Sequence, residues 1–167
     1  MLSRRIVNLE AGNILMGTAS FLSFEIPEDW RAFPIGVAEV ESSRRAKDRN
    51  WVTNGYIMVG LSSERGEEVL MAVKASEPMR KFDPERWLDD KARKGAESHG
   101  ITTINGHKCY YVVNRVDKGL FKREKLVEIT FCFFCDVTKR RIEIKLTGRR
   151  EEDVTLLKDL IGNLSCH

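Results

Sequence analysis

Apolar and polar residues alternate along several short segments of the chain, and this period of two predicts β-strands. Pro27 ends the first of these segments, and a polar turn at residues 62–67 separates two later ones. The charged stretch at residues 42–50 is expected to form a solvated loop. In the first half of the chain the predicted strands are residues 20–26, 37–41, 51–61 and 68–75.

The second half predicts two β-hairpins, formed by residues 101–104 with 107–116 and by residues 124–135 with 140–147. Asn105 and Gly106 join the first pair, and this dipeptide tolerates the positive φ angles of a type I′ turn. In the last strand, Ile142, Ile144 and Leu146 share one face while charged residues occupy the other, which indicates a half-buried strand. The partner strand, residues 124–135, is apolar on both faces toward its C-terminal end, so this strand should lie centrally in the sheet.

Two segments carry helix signals. Residues 84–98 follow Asp83, a good N-cap, and begin with Pro84, whose missing N–H does no harm at that position. Gly100 is the expected C-terminal cap. Residues 151–164 form the second predicted helix, which begins with three acidic residues and should pack on the sheet. Its apolar stripe consists of Val154, Leu157, Leu160, Ile161 and Leu164.

Composition fits a globular protein of one domain spanning residues 1–167, since 42% of the residues are hydrophobic and 32% are charged. The net charge is only +3, which does not favour a nucleic-acid partner. The N-terminus lacks a sustained apolar core, and the longest apolar run, residues 129–135, is too short to cross a membrane. These features predict a cytoplasmic protein with reduced thiols. The absence of glutamine, together with many charged residues, suggests a thermophilic source.

Cys132 and Cys135 form a C-x-x-C pair, the spacing of many zinc and redox sites. Here the pair lies within a predicted strand, where residues three apart point to opposite faces and lie roughly 10 Å apart. A disulfide requires α-carbons within about 7 Å. We therefore expect Cys132 and Cys135 to be buried thiols that stay unbridged and bind no metal.

A second candidate metal site combines His107 and Cys109, which share one face of a strand, with Cys166 and His167 at the end of the chain. Imidazole and thiolate groups are the ligands that zinc prefers. The alternative is that His107 simply follows the hairpin turn and that the last residues are mobile. No cofactor is predicted from these residues.

No catalytic set emerges from the sequence, which lacks the common nucleophile, phosphate-loop and metalloprotease motifs. His99 is explained by a position at the end of the first helix, where a cation favours the dipole. Trp30, Trp51 and Trp87 are expected to pack in or beside the core. The basic clusters are interleaved with acidic residues and are expected to be solvated edges and loops; they lie at residues 44–49, 122–125, 139–141 and 149–150.

Two motifs resemble those of the Mog1/PsbP-like superfamily. Residues 21–30, FLSFEIPEDW, are similar to its F-x-F-x-x-P-x-x-W opening, and residues 104–111, INGHKCYY, to its I-N-G-x-x-x-Y hairpin. The resemblance spans roughly residues 14–166 and implies an α/β/α sandwich around a mostly antiparallel sheet. Superfamily members include a photosystem II extrinsic subunit, a Ran-binding nuclear transport factor and bacterial lipoproteins. These are mainly binding proteins, and the resemblance transfers no functional residue. The sequence shows neither a transit peptide nor a lipobox cysteine, which argues against the thylakoid and lipoprotein roles.

The leading hypothesis is a non-catalytic, cytoplasmic module with a protein partner. One alternative is a small ligand- or metal-dependent enzyme that uses His107, Cys109 and the C-terminus. Another is a nucleic-acid-binding protein that uses the arginine clusters. An exposed apolar surface would favour the first, a pocket with convergent polar groups the second, and a continuous positive face the third.

Overall fold

A computed structural model describes residues 4–13, 17–34, 57–76, 79–118 and 124–166. A seven-stranded antiparallel sheet, with the strand order β3-β4-β5-β9-β8-β7-β6, dominates this part of the chain, and β1 and β2 form a separate hairpin. The strands are β1 Arg4–Asn13, β2 Gly17–Pro27, β3 Trp30–Pro34, β4 Ile57–Ser63, β5 Glu68–Ala75, β6 Ser98–Ile104, β7 His107–Lys118, β8 Glu124–Cys135 and β9 Arg140–Gly148. The helices are α1 Pro84–Ala92 and α2 Glu151–Ile161.

The main core lies on one face of the seven-stranded sheet, called here the inner face. Alternate residues of each strand point into this core, and the predicted inward row of β9 is fully buried there. The β1–β2 hairpin covers the inner face and contributes four side chains. These are Leu9, Leu22, Phe24 and Ile26.

The opposite, outer face is covered by α1 over β6, β7 and the end of β8. Trp87 from α1 packs with Tyr110, Val112 and Cys132 in a second, smaller apolar cluster. Because α1 covers the outer face here, the end of β8 is buried on both sides, which explains why it is apolar on both faces. The strand order agrees with its predicted central position. The same cover also buries Glu143, which the alternation of β9 places on the polar face; this residue is only 5% exposed.

Helix α2 lies on the inner face, so the two helices sandwich the sheet as predicted. Val154, Ile161 and Leu164 are buried in the main core. The side chains of Leu157 and Leu160, also expected in this stripe, lie outside the described residues. Close packing at the start of α2 depends on Gly148, since a Cβ there would lie 2.7 Å from Cγ2 of Val154.

Several sequence-based boundaries are wrong. Helix α1 ends at Ala92 instead of residue 98, because Gly95 adopts a φ of 94° and β6 begins at Ser98. Gly100 is therefore a strand residue and caps no helix, and His99 lies exposed on β6 opposite Val112. Helix α2 ends at Ile161 instead of residue 164.

Two strands were not predicted, and others match closely. The sequence analysis placed no strand at β1 or at β3. By contrast, β5 has the expected bounds, and the turn after β6 has positive φ at Asn105 (49°) and Gly106 (76°), as a type I′ turn requires. Trp30 and Trp87 are buried, as expected. The predicted strand at residues 37–41, the loop at 42–50 and Trp51 lie outside the described residues.

Candidate functional site

One cluster of metal-ligating side chains is present among the described residues. His107, Cys135 and Cys166 each place one nitrogen or sulfur atom within 4.8 Å of the others. His107 begins β7 directly after the type I′ turn, Cys135 ends the neighbouring strand β8, and Cys166 lies near the C-terminus. Because Cys109 lies opposite Phe133 in the ladder, extending the register by two residues brings His107 opposite Cys135.

The end of the chain is held at this cluster by the backbone. Ser165 exchanges two hydrogen bonds of 2.8 Å with Ser23 of β2, one in each direction. This isolated bridge fixes the residue before Cys166 and directs its thiol into the core, where it is buried. Three separate parts of the fold therefore meet at the cluster.

Each of the three side chains has a polar neighbour that orients it. Nδ1 of His107 lies 3.4 Å from a carboxylate oxygen of Asp136, and its ring stacks on Phe133 with centroids 5.8 Å apart. The backbone N–H of Thr138 donates to Sγ of Cys135 over 3.5 Å. The side-chain amide of Asn105 donates to Sγ of Cys166 over 3.6 Å.

Burial governs the acidity of the cysteines. It raises the pKa of Cys166 to about 12, assisted by the neighbouring Cys135, while the hydrogen bond from Asn105 acts in the opposite direction. Burial also raises the pKa of Cys109 to about 12 and raises that of Cys132. These thiols are protonated at neutral pH in the metal-free protein.

The predicted metal set of His107, Cys109, Cys166 and His167 is only partly brought together. His107 and Cys166 meet, but Cys135 takes the place of Cys109, whose thiol donates to the carbonyl oxygen of Tyr110. His167 lies outside the described residues. The expected geometry of Cys132 and Cys135 is confirmed: Cys132 belongs to the outer-face cluster and Cys135 to the main core.

Cys135, His107 and Asp136 superficially match a nucleophile, a base and an orienting acid. Both sulfur atoms of the cluster belong to buried residues, which leaves no room for a substrate carbonyl. A catalytic cysteine also requires partial exposure, whereas Cys135 is fully buried. The cluster therefore lacks the properties of an activated thiolate.

A groove on the outer face is the second candidate site. Phe33 lies opposite Gly60 in the ladder, Gly60 opposite Leu70, and Leu70 opposite Thr147, so these residues form one row across four strands. Gly60 has no side chain, which leaves a gap between Phe33 and Leu70. With Leu126 of β8, these residues line a groove of about 480 Å³, and Phe33 is 51% exposed. Sequence analysis missed this site because it assigned no strand to Phe33.

Three described basic residues of the predicted clusters have acidic, backbone or aromatic partners. Arg150 lies 3.2 Å from Asp153, and Arg140 donates to the carbonyl oxygen of Ser76 over 2.6 Å. Arg141 lies over the ring of Phe82. Residues 44–49 and 122–123 lie outside the described residues. Within the part of the chain that the structure describes, no helix is long and apolar enough to span a bilayer.

No protein-family model matches the sequence, and no curated protein matches it either. Solved structures do match, at low identity. The solution structure of cyanobacterial PsbP (CyanoP) from Synechocystis sp. PCC 6803 is 14% identical, with a TM-score of 0.54, and the match covers 100% of this chain and 94% of that one. The crystal structure of LpqN from Mycobacterium tuberculosis, which is involved in cell envelope biogenesis, is 12% identical, with a TM-score of 0.51 over 96% of this chain and 91% of that one.

A more distant match is the Saccharomyces cerevisiae Ran-binding protein Mog1p, 10% identical with a TM-score of 0.43, covering 97% of this chain and 96% of that one. The CyanoP and LpqN matches span nearly the whole of each chain. Together with the mostly antiparallel sheet and the two helices of the described residues, they confirm the predicted architecture. The chain has a Mog1/PsbP-like α+β fold.

Proposed function

We propose that this chain is a non-catalytic, cytoplasmic protein-binding module, and that a partner protein binds in the outer-face groove beside β3. The observation that carries the proposal is that the described residues cover the outer face unevenly. Helix α1 covers β6, β7 and the end of β8, whereas the groove leaves Phe33 half exposed next to Leu70 and Leu126. Aromatic side chains, phenylalanine among them, are enriched in protein interfaces.

The groove suits an apolar side chain carried by an extended segment of the partner. Its floor is a glycine between two apolar residues, so one inserted side chain would contact Phe33 and Leu70 together. Glu68 and Arg149 also line the groove, so that its lining contains charged residues of both signs. Such a mixed lining around an apolar centre is typical of interfaces.

The two alternatives have less support. For an enzyme, the cysteines would be the natural nucleophiles, but all four are buried. For nucleic-acid binding, several described basic residues are already paired with acidic ones: Arg115 bonds Glu97 and Glu151, and Lys145 pairs with Glu128. The sequence motifs resemble those of a superfamily made mainly of binding proteins, and this also favours the protein-binding hypothesis.

The proposal is tested by affinity capture from a lysate of the source organism, with the full chain as bait in three forms. These are the wild type, Phe33→Ala and Ile101→Ala. Ile101 is a matched control because it is 55% exposed on β6, away from the groove. Any protein retained by the wild type is then purified, and its affinity for the three forms is measured by calorimetry.

We expect the wild type and Ile101→Ala to bind the partner alike. Phe33→Ala should weaken binding by at least about tenfold, the effect of losing an interface hot spot. Equal binding by all three forms, or selective loss with Ile101→Ala, would mean that the groove is not the contact surface. Circular dichroism and urea unfolding verify that both variants keep the wild-type fold.

A further inference from the structure

We propose that His107, Cys135 and Cys166 bind one zinc ion, which departs from the sequence-based expectation that Cys135 binds no metal. One imidazole and two thiols form a Cys₂His set, which suits the borderline-soft Zn²⁺ far better than Mg²⁺ or Ca²⁺, both of which prefer oxygen ligands. The three ligand atoms already lie within 4.8 Å of one another. In a tetrahedral zinc site such atoms are separated by roughly 3.5–3.8 Å, so small side-chain rotations close the cluster around the ion.

The neighbours of all three ligands support this assignment independently of the cluster itself. The Asp136 carboxylate lies at Nδ1 of His107, in the carboxylate–histidine arrangement that holds imidazole ligands, and Nε2 of the same ring is shielded from solvent. The N–H groups of Thr138 and Asn105 donate to the two sulfur atoms, and such donors stabilise thiolates. Thiols buried only as apolar packing would need no such neighbours, whereas here each of the three candidate ligands has one.

Zinc binding releases both thiol protons to solvent, so that a neutral imidazole and two thiolates surround Zn²⁺. Three protein ligands leave a fourth position for water. The side chain of Asp136, at Nδ1 of His107, is 73% exposed, whereas Cys135 and Cys166 are buried in the main core.

The bound ion would tie together parts of the chain that are distant in sequence. His107 belongs to the β6–β7 hairpin, Cys135 to the end of β8, and Cys166 to the segment that pairs with β2 through Ser165 and Ser23. The inferred role is therefore structural: the ion fastens the C-terminus to the sheet and to the β1–β2 hairpin. This role is separate from the groove, and neither proposal depends on the other.

The test uses the full chain, reduced and stripped of metal with a chelator, then titrated with Co²⁺ under anaerobic conditions and back-titrated with Zn²⁺. We expect one Co²⁺ per chain with thiolate-to-metal charge-transfer absorption, displaced by one equivalent of Zn²⁺. Cys166→Ala and Cys135→Ala should lose this absorption. Cys109→Ala is the matched control and should retain it, because Cys109 is an equally buried thiol that lies outside the cluster.

Two further variants probe the neighbours of the ligands without removing a ligand. Asn105→Gly keeps the positive φ of the turn but deletes the donor to Cys166, and Asp136→Asn removes the charge beside His107. Each should lower zinc affinity by about 10- to 100-fold while leaving the stoichiometry at one. For the wild type, X-ray absorption of the zinc-loaded chain should show two sulfur neighbours at about 2.3 Å, a result that requires no variant.

Absence of the charge-transfer absorption in the wild type would overturn the proposal. So would equal loss of binding in Cys109→Ala and Cys166→Ala, or X-ray absorption without sulfur neighbours. A disulfide between Cys135 and Cys166 in chain purified anaerobically, seen as the loss of two hydrogens in that peptide pair, would assign the cluster to redox chemistry and contradict zinc binding.

Discussion

The indole N–H of Trp87 donates to the carboxylate of Glu143 over 3.3 Å and so links α1 to β9 across the outer face. Lys91, one turn further along α1, reaches the other oxygen of the same carboxylate at 3.3 Å. A charged residue on the sheet face thus serves as the acceptor for the helix above it. The two contacts anchor α1 over the apolar cluster formed by Trp87, Tyr110, Val112 and Cys132.

Replacing Glu143 should therefore loosen α1. Glu143→Ala removes the acceptor of a buried indole N–H and should cost about 1–3 kcal/mol in the free energy of unfolding, measured in urea. Glu143→Gln keeps an acceptor for Trp87 and loses only the charge opposite Lys91, so its cost should be smaller. A change below about 0.5 kcal/mol for Glu143→Ala would show that this carboxylate does not anchor the helix.

The contact between Gly148 and Val154 gives a second prediction. A Cβ at position 148 would lie 2.7 Å from Cγ2 of Val154, so Gly148→Ala forces the start of α2 away from the sheet. We expect a loss of about 1–3 kcal/mol on urea unfolding. In a Val154→Ala background the conflicting methyl is absent, and the added penalty should fall by about 1 kcal/mol or more. An unchanged penalty in that background would refute steric conflict with Val154.

Helix α2 is predicted to stabilise the fold, since Ile161 is buried in the main core while Leu156 of the same helix is 41% exposed. Ile161→Ala should cost about 2–5 kcal/mol through lost burial and a residual cavity. Leu156→Ala is the control and should stay within about 0.5 kcal/mol of the wild type. Equal, small losses in both variants would indicate a detachable recognition helix. The same cost predicted from sequence for Leu157→Ala stays a prediction, because that side chain lies outside the described residues.

Burial of Cys109 predicts a loss of stability at alkaline pH. Its pKa is about 12 in the folded chain against 9.0 for an ordinary thiol, so the unfolded chain releases this proton first. The thiol's contribution is complete below pH 9.0 and is lost progressively as the pH rises toward 12. Between about pH 8 and pH 10, Cys109→Ala should lose roughly 1 kcal/mol less stability than the wild type. Parallel stability curves for the two chains would contradict this linkage.

The elements that the sequence analysis predicted correctly are those whose sequence signals are local. The Asn105-Gly106 turn, the β5 alternation and the buried row on β9 all depend on spacing within a few residues, and all are confirmed. The end of α1 was misplaced because Gly100 and Gly95 are both plausible caps, and only Gly95 has the positive φ. Strand β1 was missed because its polar residues interrupt the apolar ones, and its burial comes from pairing with β2.

The candidate sites depend on register between distant strands, which spacing alone does not reveal. Cys135 joins His107 only because Cys109 lies opposite Phe133 in the β7–β8 ladder. The groove similarly requires Phe33, Gly60 and Leu70 to stand in one row across three strands. The sequence identified His107 and Cys166 as candidate ligands, but the third, Cys135, is brought beside them by the pairing of β7 with β8.

Site-specific photo-crosslinking in cells of the source organism tests the central claim, partner binding in the groove, most directly. A photoreactive phenylalanine analogue is placed at position 33, inside the groove, or at position 101 on β6, where Ile101 is similarly exposed. We predict a discrete crosslinked protein from position 33 and none from position 101. Crosslinking only from position 101, or from neither position while the chain is folded and abundant, would contradict the account.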